Sequence, residues 1–446
     1  MKRFLALTLA LVMTVGLFAG CSGKKTAKTI NGVDISQYTI VYSQDAPDYC
    51  QRAAEYIQSQ ILSRTGVELS VCEASTGTYS HEILVGDTDR AVSKELVPED
   101  RNMEFYFKAD ENHIAMNGDY FIIAAAAYYF VETYIPGSNF QSEIAKDQVT
   151  VCQPITEKAN NFIYLIGDGM GPNQTKLLEQ YSIADYAEDS DGEDIFYGYY
   201  LPYQGMIRTN SLSGVTDSAA GATALACGYK TTNSYVGKDQ NGDDVQSLTE
   251  LANSLGKATA VMSTDLQTGA TPSGFSAHAL DRDYSNVILE CQTDLMVEQN
   301  TIFECGLNAT ANYEFYITDV LEQLDAYENG FFLMYEEGYI DKKAHNNDMD
   351  ETIVCMGRFN QAIAVFMEYA FYHPDTFLII TADHETGDLL PDQSGELQFN
   401  STSHTGADVP IFGYGQGAEV FQNYYEENNE VPKVIAALWG VEDFGN

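Results

Sequence analysis

Basic residues are scarce in this 446-residue chain. It carries 23 Lys and Arg against 65 Asp and Glu, a formal net charge of −42. Neutralising a phosphate backbone takes clustered Lys and Arg, so this balance argues against nucleic acid as a specific partner. The acidity reads first as a solvated surface and second as a field that favours cations. No CxxC occurs among the eight cysteines, which argues against a cysteine-based zinc site. There is no internal repeat, and no run long enough to cross a membrane follows the N-terminal segment. Apolar residues at 45% and aromatics at 12% exclude a disordered chain.

The N-terminus, "MKRFLALTLALVMTVGLFAGCSGKK", places Lys2 and Arg3 before an apolar stretch from Phe4 to Ala19, then Gly20 and Cys21. Basic, then apolar, then small is the order of a secretory signal. "FAGC" resembles a bacterial lipobox, with Phe18 where Leu is usual. That resemblance implies a signal peptide over 1–20 and lipidation of Cys21 as the new N-terminus. The protein would then be extracytoplasmic and membrane-anchored; an uncleaved anchor or plain secretion is the alternative. Outside the cytoplasm a disulfide is permitted, and Cys50–Cys72 and Cys291–Cys305 are the candidate pairs.

Residues 21–35 read as a polar tether. From 36 to 150 short strands ("YTIVYS", "HEILVGD", "FYFKAD", "HIAMNG") mix with two helical stretches, one stopped by Gly66 and one ending near Pro136. This small α/β domain loosely resembles, in element order, the one that precedes the barrel in several carbohydrate-active enzymes. Its expected role is that of a structural spacer, with glycan binding the alternative. From about 155 to 446 the texture changes. Apolar, β-branched runs ("NFIYLIGDGMG", "ATAVMSTD", "GFFLMYEEG", "DTFLIITADHETG", "VPIFGYG") alternate with helical stretches. That pattern predicts an α/β fold with a mostly parallel central sheet flanked by helices. Ligands bind beyond the carboxyl ends of such strands.

Polar residues gather at those ends. Asp168 follows "FIYLIG", Glu336 follows "FFLMY", and Asp383 and His384 follow "FLIITA". Thr271 lies beyond "ATAVMST", and His404 just before "VPIF". Asp341 and His345 are spaced i, i+4, which points both side chains the same way on a helical turn. Singly, each is an ordinary cap, turn or surface residue. Together, so many carboxylates at one edge would repel and raise one another's pKa, and divalent cations are the simplest remedy. Imidazole with carboxylate suits Zn²⁺, and the oxygen set Asp168, Glu336 and Thr271 suits Mg²⁺. Ser218 opens the helix-forming run "SAAGATALAC", which stops at Gly228. Free N–H groups there favour negative charge, and a cation would make its hydroxyl a competent nucleophile without a histidine base.

Six stretches, "YLIGDGMG", "VTDSAAGATALACGYKT", "ATPSGFSAHALDR", "FLMYEEGYIDKKAH", "TADHETG" and "SHTGADVPIFGYG", resemble the alkaline phosphatases, in family order from 161 to 415. The resemblance implies Ser218 as nucleophile. It implies one zinc on Asp341, His345 and His404, and a second on Asp168, Asp383, His384 and Ser218. Magnesium would sit on Asp168, Thr271 and Glu336. Arg282 would fork onto two phosphate oxygens, oriented by Asp217. Small-molecule phosphate esters would be hydrolysed through a phosphoserine. Two departures stand out. Gly269 occupies the position, two before Thr271, where many relatives carry Asp or His near the magnesium. The segment between His384 and His404 is short, where relatives carry a longer insertion that contributes to a homodimer and to the rim of the site.

Three rivals remain at this point. Sulfatases need C/S-x-P-x-R, and "DSAAGAT" lacks the Pro and Arg. Phosphodiesterase activity on the same scaffold is compatible with a single arginine and an open rim. A non-catalytic, glycan-binding surface lipoprotein would be expected to have lost part of this ligand set.

Overall fold

The computed structural model describes residues 27–43, 48–98, 102–181, 194–309 and 313–446. The expected signal segment and Cys21 lie outside the described residues.

The first module is built on a six-stranded sheet, in the order Val71–Glu73, Thr39–Tyr42, Glu82–Val85, His113–Gly118, Phe105–Ala109, Thr150–Cys152. The first four strands are parallel; Phe105–Ala109 runs against both of its neighbours. The helix Tyr49–Thr65 buries Cys50, Ala53, Ala54, Ile57 and Ile61 along one stripe, and ends where Gly66 turns left-handed at φ +72°. The tether expected over 21–35 is shorter than the sequence suggested. Lys28–Ile30 pairs with both Val33–Asp34 and Phe140–Ser142. These contacts are made by backbone, which a polar, lysine-rich composition does not reveal. The same module runs on to Cys152, past the boundary expected at 150.

Both candidate disulfides are corrected as well. The seven described cysteines are all free thiols. Burial pushes the Cys50 thiol up to about 12, so it behaves as a small apolar side chain.

The second module carries the expected mostly parallel sheet. Its eight strands run Ile302–Cys305, Ala258–Ser263, Phe331–Glu337, Asn161–Gly167, Thr376–Thr381, Val409–Tyr414, Tyr203–Arg208, Tyr425–Glu427. The first five are parallel; Val409–Tyr414 runs against both of its neighbours. The long helix Met349–Tyr372 covers Asn161–Gly167 and Thr376–Thr381. Four parallel strands therefore end at one edge, in Gly167, Ser263, Glu337 and Thr381. The antiparallel strand begins there, which is why His404 precedes its strand while the other candidates lie at or beyond theirs.

The two modules share one continuous core. Tyr56 stacks on Tyr372 with ring centroids 4.2 Å apart, and Arg52 forks onto Glu368 at 2.7–3.0 Å. Phe121 is fully buried against Tyr197, Tyr200 and Phe371 of the second module. Truncating a buried Phe costs about 3–5 kcal/mol. Phe121→Ala is therefore expected to lower the urea midpoint of the whole chain within one cooperative transition. Two separated transitions, only one of them shifted, would show that the modules unfold independently.

Candidate active site

Ser218 is the first residue of the helix Ser218–Cys227, and Asp217 is its N-cap. The Asp217 carboxylate accepts from Ala220 N at 3.0 Å and from Ser234 N at 2.9 Å, and lies 3.5 Å from Arg282 Nη1. Arg282 is tied in turn by its own N–H to Ser234 O at 2.8 Å. One carboxylate thus starts the helix, fastens the loop at Ser234 and aims the guanidinium, which stands at the mouth with a side-chain exposure of 36%. Two glycines let this backbone close on the site. A Cβ on Gly221 would lie 3.1 Å from Asp383. One on Gly169, at φ +78°, would lie 2.8 Å from Asp341 Cα.

The histidines carry the decisive detail. His345 Nδ1 lies 2.7 Å from Thr402 O, and His404 Nδ1 lies 2.9 Å from Thr216 O. A carbonyl only accepts, so both Nδ1 atoms carry the hydrogen and both neutral rings present a lone pair at Nε2. Those Nε2 atoms are 3.0 Å apart, and each is 3.3 Å from Asp341 Oδ1. Ligands about 2.0 Å from a tetrahedral centre stand about 3.3 Å from one another. Three donors aimed together in this way need a proton or a metal between them. Against the desolvation that opposes it, Asp341 raises the His404 pKa, so a proton is favoured there when no metal is present.

His384 repeats the pattern deeper in the fold. Thr386 Oγ1 donates to Asp341 Oδ1 at 2.5 Å and so receives from His384 Nδ1 at 3.2 Å. That leaves His384 Nε2 as a lone pair, 3.2 Å from Ser218 Oγ, 3.3 Å from Asp383 Oδ2 and 3.5 Å from Asp168 Oδ1. Desolvation, with His404 next, holds the His384 pKa well below its ordinary value. Asp168 and Asp383 are buried, and their Oδ1 and Oδ2 respectively make no hydrogen bond. Burial first, and then neighbouring carboxylates, raises Asp168 well above the usual range and Asp383 to about 7. Asp341 is the exception: hydrogen bonding from His404 and the nearby imidazoles outweigh its desolvation and hold it low.

A third group lies alongside. Strand register sets Glu336 beside Ile166 and Ser263. Burial raises its carboxyl to about 8, although Ser263 Oγ donates to it. Thr271 Oγ1 is buried without a hydrogen-bond partner.

The alkaline phosphatase family profile matches residues 159–311 and 316–395, more than half of the chain. The chain belongs to the alkaline phosphatase family. It is similar to alkaline phosphatase 4 of Bacillus subtilis, at 26% identity over 62% of this chain and 70% of that one. Alkaline phosphatase 3 of the same organism is 28% identical over 52% of this chain, which spans 62% of that relative's length. Among solved structures, the alkaline phosphatase of the Antarctic bacterium TAB5 superposes with a TM-score of 0.55. It is 26% identical, and the match covers 63% of this chain and 98% of that one. A variant of that enzyme with Mg bound in the M3 site gives 0.53.

All eleven side chains singled out in the sequence stand at this one edge. The two nitrogen-and-oxygen groups, Asp341 with His345 and His404, and Asp168 with Asp341 and His384, bring their donor atoms within 4.8 Å of one another. Asp341 joins both groups, a sharing the sequence did not suggest. Imidazole lone pairs beside orphaned carboxylate oxygens fit zinc; the all-oxygen set fits magnesium. Sequence reasoning missed Thr386, which fixes the His384 tautomer and binds Asp341. The signal was available: in "DHET" it stands two residues after His384, on the same side of an extended chain.

These shifts make the metal-free protein sensitive to pH. Above about pH 7.5 His384 and Asp341 are deprotonated both folded and unfolded and contribute no slope; nearer pH 6.5 the unfolded His384 still holds protons that the folded one lacks, which opposes the trend. Asp383, Glu336, Asp168 and His404 have raised pKa values, so the folded state holds more protons and loses stability as pH rises. In chelator, the melting temperature is expected to fall by at least about 2 °C between pH 7.5 and 9. Excess zinc is expected to abolish the slope. Calorimetry that shows the same slope with and without metal would refute this account of the cluster.

Proposed function

We propose that the protein hydrolyses phosphate monoesters through a phosphoserine at Ser218, outside the cytoplasm, with two zinc ions and one magnesium ion. The observation that carries this reading is the convergence of Ser218 Oγ and the buried carboxylates of Asp168 and Asp383 on His384 Nε2, with the hydroxyl 3.2 Å from the imidazole. When bound, the cations would lower the pKa of the serine hydroxyl and neutralise charge on the phosphoryl group. Asp341, His345 and His404 would hold one zinc. Asp168, Asp383, His384 and Ser218 would hold the other, and Asp168, Thr271 and Glu336 the magnesium.

The chain's own groups then do the following. Ser218 presents its hydroxyl from the first turn of a helix, where free N–H groups favour the negative phosphoryl oxygens. Arg282 takes two of those oxygens in a fork, which fixes the ester in line with Oγ. Asp217 is committed to the helix cap and to the Ser234 loop, so it positions Arg282 and does not act as a base. The basic N-terminus followed by "FAGC" supports anchoring through a lipid on Cys21.

With a chromogenic monoester, Ser218→Ala is expected to lower kcat by at least about a thousandfold at unchanged zinc content. Arg282→Ala is expected to lower kcat/KM roughly tenfold to a hundredfold, the worth of a charged bidentate contact. Turnover of a diester alone would favour phosphodiesterase activity. Neither zinc nor turnover would favour a silent surface lipoprotein. Fatty-acid labelling of the wild type that persists in Cys21→Ser would refute the anchor.

A further inference from the structure

Gly269 leaves a space at the magnesium end of the site, and that space is filled by a residue from elsewhere. A Cβ built on Gly269 would lie 2.6 Å from Asp265 Oδ2 and 2.9 Å from Leu266 O. The carboxylate of Asp265 therefore stands where a side chain at 269 would begin. Its other flank faces the sheet edge. A Cβ on Gly338 would lie 3.1 Å from Asp265 Cβ, and 3.3 and 3.4 Å from the Glu336 carboxyl atoms Cδ and Oε1. Asp265 and Glu336 thus border the same small volume.

Ser263 ties the two together. Its Oγ accepts from Asp265 N at 2.8 Å and donates to Glu336 Oε2. Thr271 Oγ1, on a residue only 1% exposed, stands close enough to the Glu336 carboxyl to lower its pKa, yet makes no hydrogen bond of good geometry. That orphaned hydroxyl is the independent sign that an oxygen-seeking ligand belongs here. Asp265 itself has only 17% of its side chain exposed, and Lys342 Nζ closes on Oδ1 from the solvent side. Oδ2 is the oxygen that faces Gly269.

We propose that Asp265 is a further acidic group of the third cation site, reaching from four residues upstream into the space that Gly269 leaves open, with Lys342 as its counter-charge. The proposal rests on the three-cation reading given above. Magnesium is bound by few carboxylates and keeps several of its waters, so an acidic group need not touch the ion to hold it. The lysine opposes the cation at short range and sets the affinity below what the carboxylates alone would give.

The test is a calorimetric titration of MgCl₂ into the zinc-loaded full chain, with zinc content measured in parallel. Asp265→Asn keeps the shape of the side chain and removes its charge; it is expected to weaken magnesium binding at least about tenfold at unchanged zinc content. Lys342→Met is expected to strengthen magnesium binding several-fold. If the pair were only a structural ion pair, both variants would lower the melting temperature in chelator and leave the magnesium affinity alone, and that result overturns the proposal. A wild type that binds zinc and turns over monoester, but shows no magnesium binding, overturns both this proposal and the magnesium part of the reading beneath it. A wild type with neither zinc nor turnover overturns that reading as a whole.

Discussion

Everything at this site depends on lone pairs and carboxylates that face one another with nothing of opposite charge between them. Three imidazoles have their Nδ1 hydrogens committed, two to backbone carbonyls and one to Thr386. Their Nε2 lone pairs have no freedom to turn away. Asp168 and Asp383 are buried beside them with oxygens that accept no hydrogen bond. Burying unpaired polar groups is costly, and it persists in a fold only where something repays it. A proton repays part of the cost at each group, and a divalent cation repays several groups at once.

The fold supplies rigidity for that arrangement. Strands buried on both faces fix the height of Asp168, Glu336 and Asp383 to within a pleat of one another. Antiparallel insertion of Val409–Tyr414 brings the chain into the same edge from the other direction and delivers His404. Ser218 arrives on a helix whose small residues let it press against Asp383, and the loop that carries Arg282 is locked to that helix through Asp217. The shared core with the first module extends this stiffness. Met349–Tyr372 packs both on the strands that carry Asp168 and Asp383 and on the helix Ile122–Tyr134 of the first module. The first module is part of what keeps that long helix in place.

Much of this was legible in the sequence because parallel strands announce themselves as continuous apolar runs, and because strand ends concentrate function. "FIYLIG" before Asp168 and "FLIITA" before Asp383 are such cases, and the structure places both strands as expected. What stayed hidden was set by contacts between distant segments. The pairing of Lys28–Ile30 with Phe140–Ser142 is made by backbone and has no compositional trace. Thr386 looks like any strand threonine until His384 Nδ1 and Asp341 are seen on either side of it. Asp265 reads as a turn residue after a strand; its nearness to Glu336 follows from two glycines, 269 and 338, whose missing side chains open the space between them.

The protons of the metal-free site and its cations compete for the same atoms. Asp383 and Glu336 hold protons up to about pH 7 and 8, and Asp341 favours one on His404. A metal that enters must displace them, so loading releases protons and strengthens as pH rises. The same rise in pH removes the folded state's own remedy for its crowded carboxylates and leaves the cation as the remaining one. Retaining an incompatible cluster therefore has a consequence on each side of neutrality. On the acid side the site is stable but occupied by protons. On the alkaline side it is strained when metal-free and strongly drawn to metal. A surface of net charge −42 leaves that local balance little changed, since exposed charges more than about 8 Å away are largely screened at physiological salt.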